Sequence, residues 1–168
     1  MADSGTIAAQ GKGLYSPEER VRRDASVWTL VQGVLAPVQF AIFLASLCLV
    51  LRFLATGQGE AVATGSIVLK TLALYAIMAT GAIWEKVVFG QYLFAPAFYW
   101  EDMASMVVIA LHTLYLGMLL AGRGTVEQQM GVALAAYASY AVNAAQFVWK
   151  LRMARLQSAS SAGMEGAR

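Results

Sequence analysis

Apolar residues gather into four long runs separated by short polar breaks, a spacing that predicts helices crossing a lipid bilayer. The runs cover about 28–51, closed by Arg52, then 62–84, 103–121, and 130–149, closed by Lys150. Each is close to the ~20 residues that a helix needs to cross a ~30 Å hydrocarbon core. Strands are excluded, because lipid cannot satisfy the backbone groups of an open sheet edge. The breaks at Phe53–Ala61 and Gly122–Gln129 are short and hold Gly, Gln and Thr. Consecutive helices then pack antiparallel. The expected fold is an all-α integral membrane protein, four transmembrane helices in an up-down bundle with a short amphipathic N-terminal helix.

The ends divide the chain into an N-terminal arm over 1–27, the membrane domain over 28–150 and a tail over 151–168. In the arm, Ser16-Pro17-Glu18-Glu19 reads as an N-cap, a proline at the first helical position and acids in the first turn. No apolar core of the kind a signal peptide needs stands in this polar arm. The tail from Gln157 is rich in Ser, Ala and Gly and is expected to be mostly disordered.

Charge orients the runs. Lys12, Arg20, Arg22, Arg23, Lys86, Lys150, Arg152, Arg155 and Arg168 fall on one side, against Arg52 and Arg123 on the other. The positive-inside rule puts both termini and the middle connector in the cytoplasm. Lys70 is left within the second run, where snorkelling to the outer surface is the stronger reading.

Composition agrees. The 168 residues are 59% hydrophobic and 13% charged, about half the ~25% charged share of soluble domains. A formal charge of +2 gives no basis for a nucleic-acid partner. The single Cys48 lies inside an apolar run and reads as a small membrane-buried side chain. P-loop, G-x-G-x-x-G, H-E-x-x-H and Cys/His ligand patterns are absent, and no metal or organic cofactor is expected.

Candidate chemistry concentrates in the connector from Trp84 to Asp102, which is aromatic-rich and carries a Trp-Glu pair at each end. Glu85, Lys86, Glu101 and Asp102 read either as boundary charges beside belt tryptophans or as a functional cluster. Three acids in one connector favour the cluster. A carboxyl held against apolar rings is pushed toward its neutral, proton-donating form. His112, the sole histidine, falls midway along the third run. At ~100° per residue it shares a face with Glu101, Ser105, Val108 and Tyr115, yet lies about 16 Å from Glu101 along the axis. It reads equally as a ligand-facing group or as a neutral ring bonded between helices. Gln32, Gln39 and Ser46 on the first run, Thr71, Tyr75, Met78 and Glu85 on the second, and Tyr140, Asn143 and Gln146 on the fourth form further polar faces. Each such face more often serves helix–helix bonding, at about 1 kcal/mol or less per bond, than substrate contact.

The connector Trp84-Glu85-Lys86-Val87-Val88-Phe89-Gly90-Gln91-Tyr92-Leu93-Phe94-Ala95-Pro96-Ala97-Phe98-Tyr99-Trp100-Glu101-Asp102 resembles the signature of the 3-vinyl bacteriochlorophyllide hydratases. Leu14-Tyr15-Ser16-Pro17-Glu18-Glu19-Arg20 and Trp28-Thr29-Leu30-Val31-Gln32-Gly33 are similar to that family's opening. Ala133-Leu134-Ala135-Ala136-Tyr137-Ala138 and Asn143-Ala144-Ala145-Gln146-Phe147-Val148-Trp149-Lys150-Leu151-Arg152 are similar to its fourth-span region. The likeness runs from about Gly13 to Leu156.

The resemblance implies a hydro-lyase of bacteriochlorophyll synthesis in the intracytoplasmic membrane of a purple photosynthetic bacterium. It adds water to the 3-vinyl group of chlorophyllide a or 3-vinyl bacteriochlorophyllide a, giving the 3-(1-hydroxyethyl) pigment. The magnesium arrives within the pigment. On the chemistry of the residues, Glu101 or Asp102 is the expected general acid, with Glu85 orienting or deprotonating the water; the reverse order stays open. Lys86 is expected to meet the pigment's propionate. Trp84, Phe89, Tyr92, Phe98, Tyr99 and Trp100 are expected on the ring, with Gln91, Asn143 and Gln146 as further contacts and His112 as a ligand to the pigment magnesium. Expected partners are the pigment, the bilayer, other enzymes of the pathway and, through Gly33, Gly81 and Gly117, further copies of the chain. The alternative from another class is a non-catalytic pigment carrier or assembly factor of a photosynthetic complex. A proton-coupled transporter ranks third, because no acid lies well inside a run.

Overall fold

The computed structural model describes residues 14–165. Among them are five helices and no strand: α1 Pro17–Ala25, α2 Val27–Thr56, α3 Glu60–Phe89, α4 Tyr99–Leu120 and α5 Val126–Glu165. The arm ahead of Leu14, with Lys12, and the end of the tail, with Arg168, lie outside the described residues.

Local chemistry sets the helix ends. Ser16 and Glu19 form a reciprocal capping box, the Glu19 carboxylate accepting from Ser16 N–H at 2.7 Å, with Pro17 at the first helical position. Ser26 breaks the chain between α1 and α2 and accepts from Trp28 N–H at 3.2 Å. Gly57 closes α2 in the left-handed region, φ 69°, where a side chain would be strained. Gly90 closes α3 in the same way, φ 85°.

α2, α3 and α4 are long and apolar enough to cross a membrane. The 30 residues of α3 extend about 45 Å, well beyond a ~30 Å core. α5 contains the expected fourth run but is diluted by Tyr, Ser, Asn and Gln, and does not reach the same apolarity. It also runs on to Glu165. The tail after Lys150, expected to be mostly disordered, is therefore helical that far. Leu151, Arg152, Met153, Arg155 and Leu156 are good helix formers, and no proline interrupts them.

α2 packs mainly on α3 and α4 mainly on α5. Gly81 lets α2 come close: its missing side chain would stand 3.7 Å from Gln32 Oε1. Gln32 there donates to Thr80 Oγ1 at 2.7 Å. That contact lies within one chain, so Gly81 is used internally. The two helix pairs meet over Phe43, whose ring sits edge-on to Tyr137 and 4.9 Å from that of Tyr140. Ser46 bonds both Ser66, at 2.7 Å, and the Tyr137 hydroxyl, at 2.5 Å.

One single-residue expectation changes. Lys70 does not snorkel outward; it is fully buried, with Nζ 3.6 Å from the centre of the Tyr140 ring. The cause is helical phase, since Lys70 shares an inward face with Ile67, Thr71 and Leu74. Cys48 is exposed on the outer surface of the apolar helix α2.

The capping box is testable. Ser16→Ala removes one acceptor from the first turn and is expected to cost α1 about 1 kcal/mol, a roughly fivefold rise in opening. Hydrogen exchange at the α1 amides should report that rise and leave the α3 amides unchanged.

Candidate functional site

The connector of residues 90–98 folds back over the ends of α3 and α4 and covers their acids. Glu85, in the last turns of α3, and Glu101 and Asp102, in the first turns of α4, are all buried. The loop supplies their donors. Phe94 N–H donates to Asp102 Oδ2 at 2.7 Å, and Ala95 N–H donates to Glu85 Oε2 at 3.3 Å. Phe94 reaches this position at φ 60°, the one non-glycine residue with positive φ among those described. Such a backbone costs of order 1–3 kcal/mol and persists only where its surroundings hold it. Two consecutive N–H groups aimed to one side form a small anion-binding concavity.

The Glu85 and Asp102 carboxylates are brought close together, because they accept from the consecutive amides of Phe94 and Ala95. Glu101 has a different partner: Lys150 Nζ donates to its Oε2 at 2.5 Å, joining α4 to α5. Lys150 Nζ also stands 4.9 Å from the centre of the buried Phe98 ring.

An open groove of about 670 Å³ lies beside this cluster, lined by Glu101, Val142, Ala145, Gln146, Trp149, Lys150 and Met153. Six of these come from α5 at helical spacing, so one stripe of α5 forms a wall that is apolar but for Gln146 and Lys150. Glu101 is the one acid among the lining residues.

The sequence-predicted residues divide accordingly. Glu85, Glu101 and Asp102 come together. Trp84, Phe89 and Phe98 do not present a free aromatic wall; they pack on one another at ring separations of 5.7–5.8 Å. Phe147 stacks on Phe98 at 5.9 Å, and Tyr15 stacks on Phe89 at 5.8 Å. Burial between these rings pushes the Tyr15 phenol above its usual value, with Arg23 pulling the other way. Trp84 Nε1 donates to Thr29 Oγ1 at 2.9 Å. Tyr92, Tyr99 and Trp100 are exposed, the last at 74%. Lys86 donates to Gly90 O at 2.7 Å and so caps its own helix. Gln91 donates within the connector, to Leu93 O at 3.1 Å. Gln146 lines the groove. Asn143 lies behind it, buried and donating to Ser105 Oγ at 2.8 Å. His112 is fully buried against Tyr137 deep in the bundle and does not line the groove.

Lys150, Trp149, Val142 and Met153 were not expected in the site. Their signal was present in the spacing 142, 146, 149, 153 on a single helix, a face that also carries Lys150. The clamp from α1 was missed as well. Arg22 Nε donates to Val88 O at 2.8 Å, and Arg23 lies 4.6 Å over the Tyr15 ring, which seals the aromatic cluster.

Comparison with known proteins places this geometry in a family. A 2-vinyl bacteriochlorophyllide hydratase from Cereibacter sphaeroides is 66% identical over 149 residues, 89% of this chain and 92% of that protein. One of the same name from Rhodobacter capsulatus is 66% identical over 149 residues, 89% of this chain and 86% of its own. No solved structure matches the chain. The family model of the 2-vinyl bacteriochlorophyllide hydratases matches residues 15–153, which include the acids, their connector and the whole α5 stripe, and the chain belongs to that family.

Proposed function

We propose that this protein is a lyase that adds water across the vinyl group of a chlorophyllide or bacteriochlorophyllide. The vinyl position is numbered 2 in the family's name and 3 in the systematic ring numbering. One observation carries the reading: three buried carboxyls stand at the head of an apolar groove, one of them lining it and tied to Lys150.

The chemistry follows from the groups present. Protonation of the terminal vinyl carbon turns =CH2 into a methyl group and leaves a cation on the inner carbon, spread into the macrocycle. Water attacks that carbon through oxygen and loses a proton to a base, giving the 1-hydroxyethyl group. Asp102, which stands behind the groove-lining Glu101, is the acid, and its proton crosses to the vinyl carbon through one water molecule. Glu101, held as a carboxylate by Lys150, is the base that takes the water's proton. Acid and base are restored by passing one proton between neighbouring residues, so the net change is the addition of one water. Carboxyls and water suffice, and no resident cofactor is called for. The flat pigment lies along the α5 stripe against Trp149, with Gln146 beside it and its propionate toward the exposed edge. The magnesium remains a part of the substrate.

The topology belongs to the same reading. Four spans, with α5 as the fourth and both termini cytoplasmic, would put the groove's mouth on the cytoplasmic side of the membrane. Photosynthetic membrane, pathway enzymes and further copies of the chain are its expected surroundings.

Membranes carrying the protein, mixed with 3-vinyl chlorophyllide, should show a blue shift in absorbance as the vinyl group is lost. Pigment that binds while its spectrum stays constant would instead identify a carrier. Glu101→Gln and Asp102→Asn each preserve shape and should lower turnover by about 100- to 10,000-fold. Near wild-type rates in both, with normal insertion, would remove the carboxylates from the mechanism.

The ion pair can be weighed separately. A double-mutant cycle of Lys150→Met and Glu101→Gln, read by thermal unfolding in detergent, should give a coupling of about 0.5–3 kcal/mol. Orientation is checked by cysteines introduced as Gln58→Cys and Glu127→Cys in a Cys48→Ala background. Both should react with an impermeant reagent from the periplasmic side, and reaction from the cytoplasmic side alone would invert the topology.

A further inference from the structure

Five buried side-chain atoms among the described residues, with at least one on each long helix, make no hydrogen bond to another protein group: Gln39 Nε2, Lys70 Nζ, His112 Nε2, Tyr115 Oη and Asn143 Oδ1. In a bundle interior, each unmade bond of this kind costs about 1–3 kcal/mol, and more for a charged group. Lys70 stands on Tyr140 and His112 on Tyr137, and both tyrosines pack on Phe43, one turn from Gln39, so a ligand between these helices could answer several of the groups at once. Their chemistry identifies its class. Gln39 and Lys70 offer N–H groups, whereas Asn143 Oδ1 only accepts. His112 Nδ1 lies 2.8 Å from Val108 O, an acceptor, so that nitrogen carries the hydrogen and Nε2 of the neutral ring presents a lone pair. An anion would need donors alone and a metal ion acceptors alone. Water is both, and a buried water typically makes about three bonds to such groups.

The polar groups are also arranged in sequence. Glu101, at the groove, is one helical turn from Ser105, which receives the Asn143 amide at 2.8 Å. Tyr140, one turn from Asn143, covers Lys70 Nζ at 3.6 Å. His112 packs on Tyr137, one turn from Tyr140, and shares the buried face of α4 with Ser105 and Glu101. From the proposed function it follows that a pigment seated in the groove covers Glu101 with an apolar ring from outside. The reacting water must then arrive from behind.

We infer that a file of bound water runs inside the bundle from Lys70 and His112 past Asn143 and Ser105 to Glu101, and delivers the water that the reaction consumes. Ser105 and Asn143 are positioning residues in this scheme and touch no part of the pigment.

The inference rests on the hydratase reading for its purpose, but its first test does not. Full-length protein in lipid nanodiscs, without pigment, is exposed to hydroxyl radicals generated by X-rays, which mark side chains beside trapped water. His112 and Tyr140, buried from bulk solvent, should be labelled at rates like that of exposed Trp100, while lipid-facing Phe40 and Leu72 stay unlabelled. Protection of both His112 and Tyr140 overturns the file whatever the enzyme does. Turnover gives the second readout: Ser105→Val and Asn143→Leu should lower kcat by on the order of 100-fold, as for a misplaced reactant, with KM for the pigment unchanged. Ser105→Thr, which keeps the hydroxyl, should restore most of it. Full kcat in both apolar variants, with the labelling intact, overturns delivery and the inference with it.

Discussion

Holding three carboxyl groups out of water is the constraint around which the connector end of this protein is built. Each ionised carboxylate moved into an apolar setting would cost several kcal/mol if left alone. Every local feature offsets part of that cost. Two loop amides, at Phe94 and Ala95, donate to Asp102 and Glu85. The first turn of α4 carries the positive end of a helix dipole to Glu101 and Asp102. Lys150 reaches across from α5 to neutralise Glu101. Phe94 gives up an ordinary backbone conformation so that the loop can make these bonds. Remove the acids, and neither the left-handed residue nor the inter-helix lysine has a reason to be there.

The membrane explains why that effort is concentrated at one end. Within the hydrocarbon, backbone groups must be satisfied inside their own helix, so α2, α3 and α4 have little freedom to present irregular geometry. The turn of residues 57–59 and the α4–α5 turn are short and serve connection only. The connector of residues 90–98 is the longest non-helical stretch between described helices. It is anchored by aromatic packing from beneath and by α1 from above, through Arg22 on Val88 O and Tyr15 on Phe89. α1 thus acts as a brace for the connector, which gives its strong capping box a structural purpose.

Much of this was legible from spacing. The face of Glu101, Ser105, Val108, His112 and Tyr115, deduced from a 3.6-residue period, is the buried face of α4 with only Asp102 added. The grouping of Glu85 with Glu101 and Asp102 was legible because helix ends joined by one short connector must lie close. The partners of the aromatics were not. Trp84, Phe89 and Phe98 can pack on a ligand or on each other, and composition does not distinguish these. The outcome was decided by Tyr15 and Phe147, which arrive from distant parts of the chain. Lys70 was misread for a related reason: a long cationic side chain suits an outer face, but the phase of α3, set by Ile67 and Leu74, turned it inward. Lys150 looked like an ordinary boundary charge, and only the crossing of α5 over α4 gives it Glu101.

The charge balance of the cluster bears on the reaction itself. In the proposed mechanism Asp102 holds the proton that it donates, so the three carboxyls carry two negative charges, of which Lys150 compensates one. The head of the groove therefore carries about one net negative charge before reaction, in surroundings where apolar walls weaken screening. Vinyl hydration builds positive charge on the substrate in its slow step. A fixed negative charge beside that carbon stabilises the transition state more than the neutral ground state, which is the condition for raising the rate. Delivery of the proton adds a second negative charge to the cluster at the moment the cation forms. The lysine keeps this excess from becoming prohibitive in the resting protein, and it does so from the groove wall, where the pigment further excludes water as it seats. Under the proposed mechanism, full neutralisation of the acids would make a more stable fold and a poorer catalyst, so a single lysine against three acids is the balance that this chemistry calls for.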